Sequence, residues 1–251
     1  MSTRSVQVPT PDGTADAVVA SPDDGERHPG VLLYPDIIGP RPVIHEMAER
    51  LAAHGYHVLV PNLFYRHGPA PVVEVPDLTV PENREAFFRE ALPLLHEHTV
   101  ERALADAGAY LDFLAARPEV RPGPVGTVGY CFGAVLAVRT AAARPDQVAA
   151  AAGFHPGSLV TDAPDSPHRL ASDIAAELYF GFAEHDDGMK PEDIARWDEA
   201  MDEAGVTCTS EVYPGTVHGF TMADTSAFSP SGLDRHWKDL VPLLDRNLTT
   251  D

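Results

Sequence analysis

Residues 125–133 read Val-Gly-Thr-Val-Gly-Tyr-Cys-Phe-Gly and are followed by an alanine-rich run. The apolar start predicts a buried strand, and the run after it predicts a helix. Gly129 and Gly133 flank Cys131, as a sharp strand-to-helix turn requires when two backbones approach closely. This is the pattern of a nucleophile elbow with sulfur in place of the usual hydroxyl. Cys131 is therefore a candidate nucleophile, and the alternative is a small buried apolar residue, as free cysteines often are.

Strands and helices alternate on both sides of this elbow, after an initial hairpin. The pattern predicts an α/β fold in one domain, residues 1–251, with a mostly parallel central sheet, helices on both faces and the hairpin as an antiparallel edge. Apolar runs predict strands at 5–8, 14–20, 31–34, 57–60, 125–128, 148–154, 177–182 and 207–213. Periodic segments predict helices at 43–53, 81–95, 100–116, 132–143, 191–204 and 232–247. Such sheets bind ligands beyond the carboxyl ends of their strands.

The overall composition excludes some classes of partner. Among 251 residues, 38 are acidic and 18 are basic, and the resulting net charge of −20 disfavours nucleic acid and anionic membranes. Two cysteines do not make a disulfide framework in a chain of this length. The N-terminus lacks the apolar core of a signal peptide, and no apolar run reaches the length of a membrane helix. We expect a cytoplasmic protein, monomeric or homodimeric.

A thiol nucleophile needs a base, and the base needs a carboxylate that orients it. His218 lies in a loop rich in glycine and proline directly after a predicted strand. Asp186 also follows a predicted strand, with Asp187 and Glu184 as alternatives for the acid. The chain order of cysteine, acid and histidine is the order of α/β-hydrolases, not that of chymotrypsin or subtilisin.

With these residues in place, the chain resembles the dienelactone hydrolase family of α/β-hydrolases over nearly its whole length. The matching segments are residues 36–39, 55–66, 129–133, 182–186 and 213–220. The resemblance implies a triad of Cys131, His218 and Asp186. It also implies an oxyanion hole made by the backbone N–H groups of Phe132 and Ile37.

Two positions depart from the family pattern. Asp36 stands where well-known members have Glu, which handles the proton of the resting thiol, so we expect Asp36 to tune Cys131. Met222 stands where members acting on dienelactone have an Arg that grips the substrate carboxylate. Dienelactone itself is therefore not the expected substrate. Candidate substrate contacts are one possible anion contact and three aromatic residues, namely Arg84, Tyr65, Tyr130 and Phe220.

The sequence predicts a cysteine-dependent hydrolase of small esters or lactones that works through an acyl-enzyme. Acyl transfer or cyclisation in a biosynthetic pathway is an alternative, because it uses the same intermediate with another acceptor. A catalytically silent binding protein is a second alternative, since a fold does not guarantee a function. No cofactor is expected, and no metal site either, because His96 and His98 are two residues apart on a predicted helix and point to different sides.

Overall fold

The structure is a computed structural model, and it describes residues 1–249. The chain forms two compact units. The first consists of Met1–Gly123 with Asp224–Ser226, and the second of Pro124–Ala223 with the chain from Ala227 onward. The prediction of a single domain over residues 1–251 is not tested by this division and stays a prediction.

The first unit contains four strands, ordered β1-β2-β4-β3, and three helices. Both β1 with β2 and β2 with β4 pair antiparallel, whereas β3 and β4 pair parallel. The strands are β1 (Ser2–Thr10), β2 (Gly13–Ser21), β3 (Gly30–Tyr34) and β4 (His57–Pro61). The helices are α1 (Pro42–Ala53), α2 (Pro81–Glu97) and α3 (Val100–Ala115). The predicted antiparallel edge is thus confirmed.

The second unit contains four strands in the order β5-β6-β7-β8, and every neighbouring pair is parallel. The strands are β5 (Val125–Tyr130), β6 (Val148–Phe154), β7 (Glu177–His185) and β8 (Cys208–Val217). The helices are α4 (Phe132–Ala143), α5 (Pro191–Ala204) and α6 (Pro230–Leu248). Parallel strands buried on both faces explain the continuous apolar runs in the sequence.

Helices cover both faces of these parallel strands. Neighbouring residues of a strand point to opposite faces, so Gly129 and Tyr130 mark the two sides of β5. The Gly129 side faces α4, while the Tyr130 hydroxyl is hydrogen-bonded to His236 of α6 at 2.9 Å. The predicted α/β class, with mostly parallel strands and helices on both faces, is confirmed.

Gly129 is required because α4 packs directly on β5. A Cβ at this position would lie 2.0 Å from the carbonyl oxygen of Gly133, closer than any real contact. The glycine that precedes the cysteine therefore lets strand and helix meet at the turn, as the elbow pattern predicts.

Several predicted elements match closely, including α4, β6 and α5 with identical bounds. The main difference is at β8, which continues through Pro214 and Gly215 to Val217. An irregularity between Ala183 and His185 shifts the register of β7 against β8. This irregularity accommodates Pro214 and Gly215 between the paired residues Tyr213 and Val217, where sequence reasoning places a loop.

Candidate active site

Cys131 is the single residue between the end of β5 and the start of α4. Its backbone has φ 55° and ψ −117°, a conformation that non-glycine residues rarely adopt. The Cys131 N–H donates to the carbonyl of Phe154 at 3.1 Å, which ties the turn to the neighbouring strand β6. A strained backbone held by its surroundings is typical of functional sites. The predicted elbow geometry is present.

His218 directly follows β8, and the turn that carries it depends on Gly219. Gly219 has φ 94°, in the left-handed region that favours glycine. The N–H of Phe220 donates to the carbonyl of Val217 at 3.1 Å and closes the turn around His218. His218 is thereby fixed at the carboxyl end of its strand, where α/β sheets place functional groups.

Asp186 directly follows β7 and joins these two residues in one chain of hydrogen bonds. His218 Nε2 lies 3.0 Å from Cys131 Sγ, and His218 Nδ1 lies 2.7 Å from Asp186 Oδ2. The other carboxylate oxygen, Oδ1, accepts the N–H of Gly188 at 2.8 Å. All three side chains belong to the second unit. The three candidate residues are therefore connected by hydrogen-bond contacts, Cys131 to His218 and His218 to Asp186.

The alternative acids do not contact His218. Asp187 is exposed to solvent. Glu184 instead accepts the N–H of Gly215 at 2.7 Å, which supports the proline-glycine segment of β8. Of the three acidic candidates, only Asp186 is bonded to the imidazole.

The neighbours of His218 favour its protonated form. Burial alone lowers the pKa of His218, but the thiolate form of Cys131 and the carboxylate of Asp186 outweigh burial and raise it to about 10. The imidazolium can then donate Nδ1–H to Asp186 and Nε2–H to the sulfur. Its side chain is 27% exposed and that of Asp186 is 5% exposed, so the base reaches solvent while the acid is protected. This arrangement stabilises the imidazolium form of His218.

The second cysteine has the opposite environment. Burial raises the pKa of the Cys208 thiol to about 11. Its sulfur lies 3.9 Å from the Ser210 hydroxyl, and no imidazole is bonded to it within residues 1–249. Cys208 therefore lacks the imidazole contact that Cys131 has.

The two predicted oxyanion donors occupy different kinds of turn. Phe132 is the first residue of α4, where the helix dipole favours negative charge. Ile37 belongs to the first unit and lies in the turn after β3, closed by a hydrogen bond from the Gly39 N–H to the Asp36 carbonyl at 3.0 Å. Their joint action on an oxyanion stays a prediction.

Asp36 is an ion-paired residue of the turn after β3. The carboxylate is 4% exposed and forms a two-point ion pair with Arg41, at 2.7 and 3.0 Å. Its Oδ1 also accepts the N–H of Ile38 at 3.0 Å. Arg41 in turn holds Asp224 at 2.6 and 3.2 Å. The ion pair with Arg41 therefore stabilises this turn, and the expected tuning of the thiol by Asp36 stays a prediction.

Two of the aromatic candidates are packing residues. Tyr130 is fully buried, with its hydroxyl committed to His236 on the α6 side of β5. Phe220 is also fully buried and stacks on Tyr213, with ring centroids 4.8 Å apart. The expectation that these two rings contact substrate is therefore corrected, because neither is accessible.

The remaining substrate-contact candidates lie in the first unit. The hydroxyl of Tyr65 accepts a hydrogen bond from Thr10 at 2.7 Å and donates to the buried Asp106 at 3.0 Å, so this hydroxyl serves the local fold. Arg84 on α2 places its guanidinium 4.9 Å from the ring centre of Phe88 and lines an open surface groove. An anion contact by Arg84 stays a prediction.

Sequence reasoning missed Arg41, Asp224 and His155. The two partners of the Arg41–Asp224 pair are 183 positions apart, and no spacing in a single sequence signals such a contact. His155 follows β6 within the sequence His-Pro-Gly and lies beside His218, with ring centroids 5.3 Å apart. Its position just after a predicted strand is the signal that could have found it.

Residues 1–249 contain no cluster of three or more His, Cys, Asp or Glu side chains arranged to hold a metal ion. None of the helices in the same range combines the length and apolar character needed to cross a membrane.

With this geometry established, comparison with known proteins identifies the family. A model of the dienelactone hydrolase family matches residues 15–248. The chain belongs to the dienelactone hydrolase family. This hydrolase family acts on bonds of the ester and lactone type, and the predicted resemblance is confirmed.

Individual members show how far the similarity extends. A Methylorubrum extorquens protein is 28% identical over 239 residues, which cover 94% of this dienelactone hydrolase family member and 78% of the relative. The carboxymethylenebutenolidase of Rhodococcus opacus is 28% identical over 233 residues, covering 92% and 85% of the two chains. A crystal structure from Klebsiella pneumoniae superposes with a TM-score of 0.84 at 21% identity and covers 98% of both chains. This last likeness supports the α/β-hydrolase fold.

Proposed function

We propose that this member of the dienelactone hydrolase family is a cysteine-dependent hydrolase of small, uncharged esters or lactones. The observation that carries the proposal is the continuous set of contacts from Cys131 Sγ through His218 to Asp186, at 3.0 and 2.7 Å. The contact between the imidazole and the sulfur also supports the proposal, because a neighbouring base activates a thiol nucleophile.

The proposed reaction has two halves with an acyl-enzyme between them. The Cys131 thiolate attacks the carbonyl carbon, and the resulting oxyanion collapses to a thioester as the C–O bond breaks. His218 gives its Nε2 proton to the departing alkoxide, which in a lactone remains attached to the acyl group. Water then attacks the thioester while His218 takes its proton. Collapse of the second intermediate releases the acid and restores the thiolate and imidazolium.

In this proposal the Phe132 amide stabilises the oxyanion, supported by its position at the start of α4. The Ile37 amide is the second donor that the family resemblance suggests.

The proposed preference for uncharged substrates follows from the charges of the protein itself. The chain carries a net charge of −20, and Met222 stands where family members acting on dienelactone are expected to have an arginine. Met222 is 1% exposed and offers no positive charge. A substrate carboxylate would therefore lack the partner that this position supplies elsewhere in the family.

The test is replacement of the nucleophile. Cys131→Ala is expected to lower kcat for p-nitrophenyl acetate by at least roughly 10³-fold, because it removes the attacking atom. The matched control is Cys208→Ala, expected to retain wild-type kcat since Cys208 lies outside the site. A neutral lactone should be hydrolysed faster than its carboxylate-bearing analogue.

The outcome that contradicts the proposal is also specific. If Cys131→Ala retains most of the wild-type turnover, the cysteine mechanism is wrong. If the wild-type protein neither turns over esters or lactones nor reacts rapidly with iodoacetamide at Cys131, a silent binding role replaces it. The expected cytoplasmic location is a separate prediction that these assays do not address.

A further inference from the structure

His155 is a buried histidine that the proposed reaction does not use. It follows the last residue of β6 and is fully shielded from solvent. Its φ of 39° is positive, which is uncommon for a non-glycine residue. Its N–H donates to the carbonyl of Gly181 at 2.7 Å, so the strained backbone is anchored to β7. Strain held in this way beside a reactive group is a reason to ask what the side chain does.

The ring of His155 packs against the proposed base. The centroids of the His155 and His218 rings are 5.3 Å apart, with an angle of 69° between their planes. This is an edge-to-face contact, and such contacts fix the relative tilt of two rings. The His155 ring makes a second contact of the same kind with Phe220, at 5.2 Å and 77°. One buried ring thus braces both sides of the turn that carries His218.

The side chain of His155 also makes a polar contact with the same turn. Its Nε2 lies 2.8 Å from the hydroxyl of Thr221, which is fully buried three residues after His218. A buried hydrogen bond of this length is costly to break, because both partners lose access to water. The link from Gly181 through His155 to Thr221 therefore connects the sheet to the turn.

The residues that follow His155 contact the acid side of the site. The Ser158 N–H donates to the carbonyl of Gly188 at 3.1 Å, and the Gly188 N–H donates to Asp186 at 2.8 Å. Gly157 lies beside the imidazole, since a Cβ there would be 3.9 Å from His218 Cε1. The turn of residues 155–158 thus touches the supports of both His218 and Asp186.

We propose that His155 is a positioning residue. It braces the His218 ring and bonds to Thr221, and it thereby holds the ring in the orientation that aims Nε2 at Cys131 Sγ. This inference rests on the proposed function. Three groups capable of ionising face the His218 ring from the packed elements: Cys131, Asp186 and His155. A displacement of about 1 Å at a reacting group costs on the order of 10²-fold in rate, so a brace that prevents a small tilt has a measurable effect.

The first experiment removes the hydroxyl that His155 contacts while keeping the shape of the side chain. Thr221→Val is expected to lower kcat for p-nitrophenyl acetate by on the order of 10- to 10²-fold, with KM within about twofold of wild type. Thr221→Ser restores the hydroxyl and is expected to recover kcat to within about threefold. His155→Phe keeps a ring and loses the bond, so it is expected to match Thr221→Val.

The second readout follows the sulfur and does not require turnover. The rate of Cys131 carboxamidomethylation by iodoacetamide is measured against pH. In Thr221→Val and His155→Phe the midpoint is expected to move to higher pH, because a tilted imidazolium stabilises the thiolate less well. If wild-type protein fails to hydrolyse esters, this profile still tests the positioning of His218.

The matched control is Thr140→Val on α4. Thr140 is also buried, and its hydroxyl donates to the Leu136 carbonyl at 2.7 Å. Thr140→Val therefore makes the same atomic change as Thr221→Val, but at a position away from the site. It is expected to keep the wild-type kcat and labelling profile. The proposal is overturned if Thr221→Val and His155→Phe also keep both, or if they lower Tm while kcat and the labelling midpoint stay at wild-type values.

Discussion

At the residue scale, the most important property of the site is the electrostatic interaction among three neighbouring side chains. The sulfur of Cys131 and the carboxylate of Asp186 flank the imidazole of His218, and each favours its protonated form. The pKa of His218 is raised to about 10 although burial acts in the opposite direction. The imidazolium therefore persists well above neutral pH for as long as both partners are charged.

Removal of the acid should weaken this ion pair. Asp186→Asn keeps the size of the side chain but loses its charge, so the pKa of His218 falls and the imidazolium that faces Cys131 is less stable. We expect kcat to fall on the order of 10³- to 10⁴-fold, as for a triad whose acid becomes an amide. The midpoint of Cys131 labelling by iodoacetamide should shift to higher pH.

The neighbouring acid supplies the control for this prediction. Asp187→Asn removes the same charge from an exposed position. It is expected to leave kcat and the labelling midpoint close to wild type. Equal losses in the two variants would assign the effect to general electrostatics and contradict a specific role for Asp186.

The contrast between Asp186 and Tyr130 shows what sequence can predict about single residues. Asp186 could be predicted because the position after a strand fixes where its side chain emerges. Tyr130 stands next to Cys131 in sequence, but alternation along β5 turns it toward His236 on the other face. Proximity to Cys131 in sequence is therefore a poor guide to contact with substrate. The alternation of side chains along the strand determines which face Tyr130 points to.

At the scale of elements, strand ends determine the site. The chain leaves β5 at Cys131, β7 at Asp186 and β8 at His218, each one residue past the last strand residue. Apolar runs predicted that these strands exist, and helix signals gave the bounds of α4 and α5. The extra length of β7 and β8 depends on cross-strand bonds around a register shift, which local sequence does not encode.

The turn after β3 is held by the ion pair between Asp36 and Arg41. Loss of this ion pair should lower the free energy of unfolding. Arg41→Met leaves Asp36 buried without its partner, and breaking a buried pair in this way typically costs about 3–5 kcal/mol. The free energy of unfolding, measured by urea denaturation, should fall by this amount. Arg41→Met combined with Asp36→Asn should recover more than half, because the amide oxygen still accepts the Ile38 N–H.

A surface ion pair provides the comparison. Arg246 bonds Glu177 with its side chain 48% exposed, and Arg246→Met is expected to cost only about 1 kcal/mol or less. If Arg41→Met costs no more than Arg246→Met, the buried pair does not stabilise the turn. The Arg41 pairs lay beyond prediction, since only the folded chain brings residue 224 next to residue 41.

At the scale of the whole molecule, a buried histidine makes stability depend on pH. His57 is fully shielded from solvent, and burial lowers its pKa from 6.5 to about 4. Between these values the unfolded chain binds the extra proton and the folded chain does not. Stability should therefore decrease as pH falls from 6.5 toward 4, by up to about 1.4 kcal/mol per pH unit from this residue.

The measurement is the free energy of unfolding from urea titrations at several pH values in this range. His57→Gln is expected to reduce the slope, because no group at this position then takes up a proton, while His98, whose pKa burial also lowers to about 4, still contributes. His96→Gln, at an exposed position on α2, should keep the wild-type slope. An unchanged slope in His57→Gln would show that other groups carry the acid sensitivity.

The different surroundings of the two cysteines have a practical consequence. At neutral pH an electrophilic fluorophore or a maleimide-coated bead would react at Cys131, while the thiol of Cys208, with its pKa raised to about 11, would stay unmodified. The native chain thus provides a single attachment point for a reporter, and no residue has to be engineered away to obtain uniform conjugates.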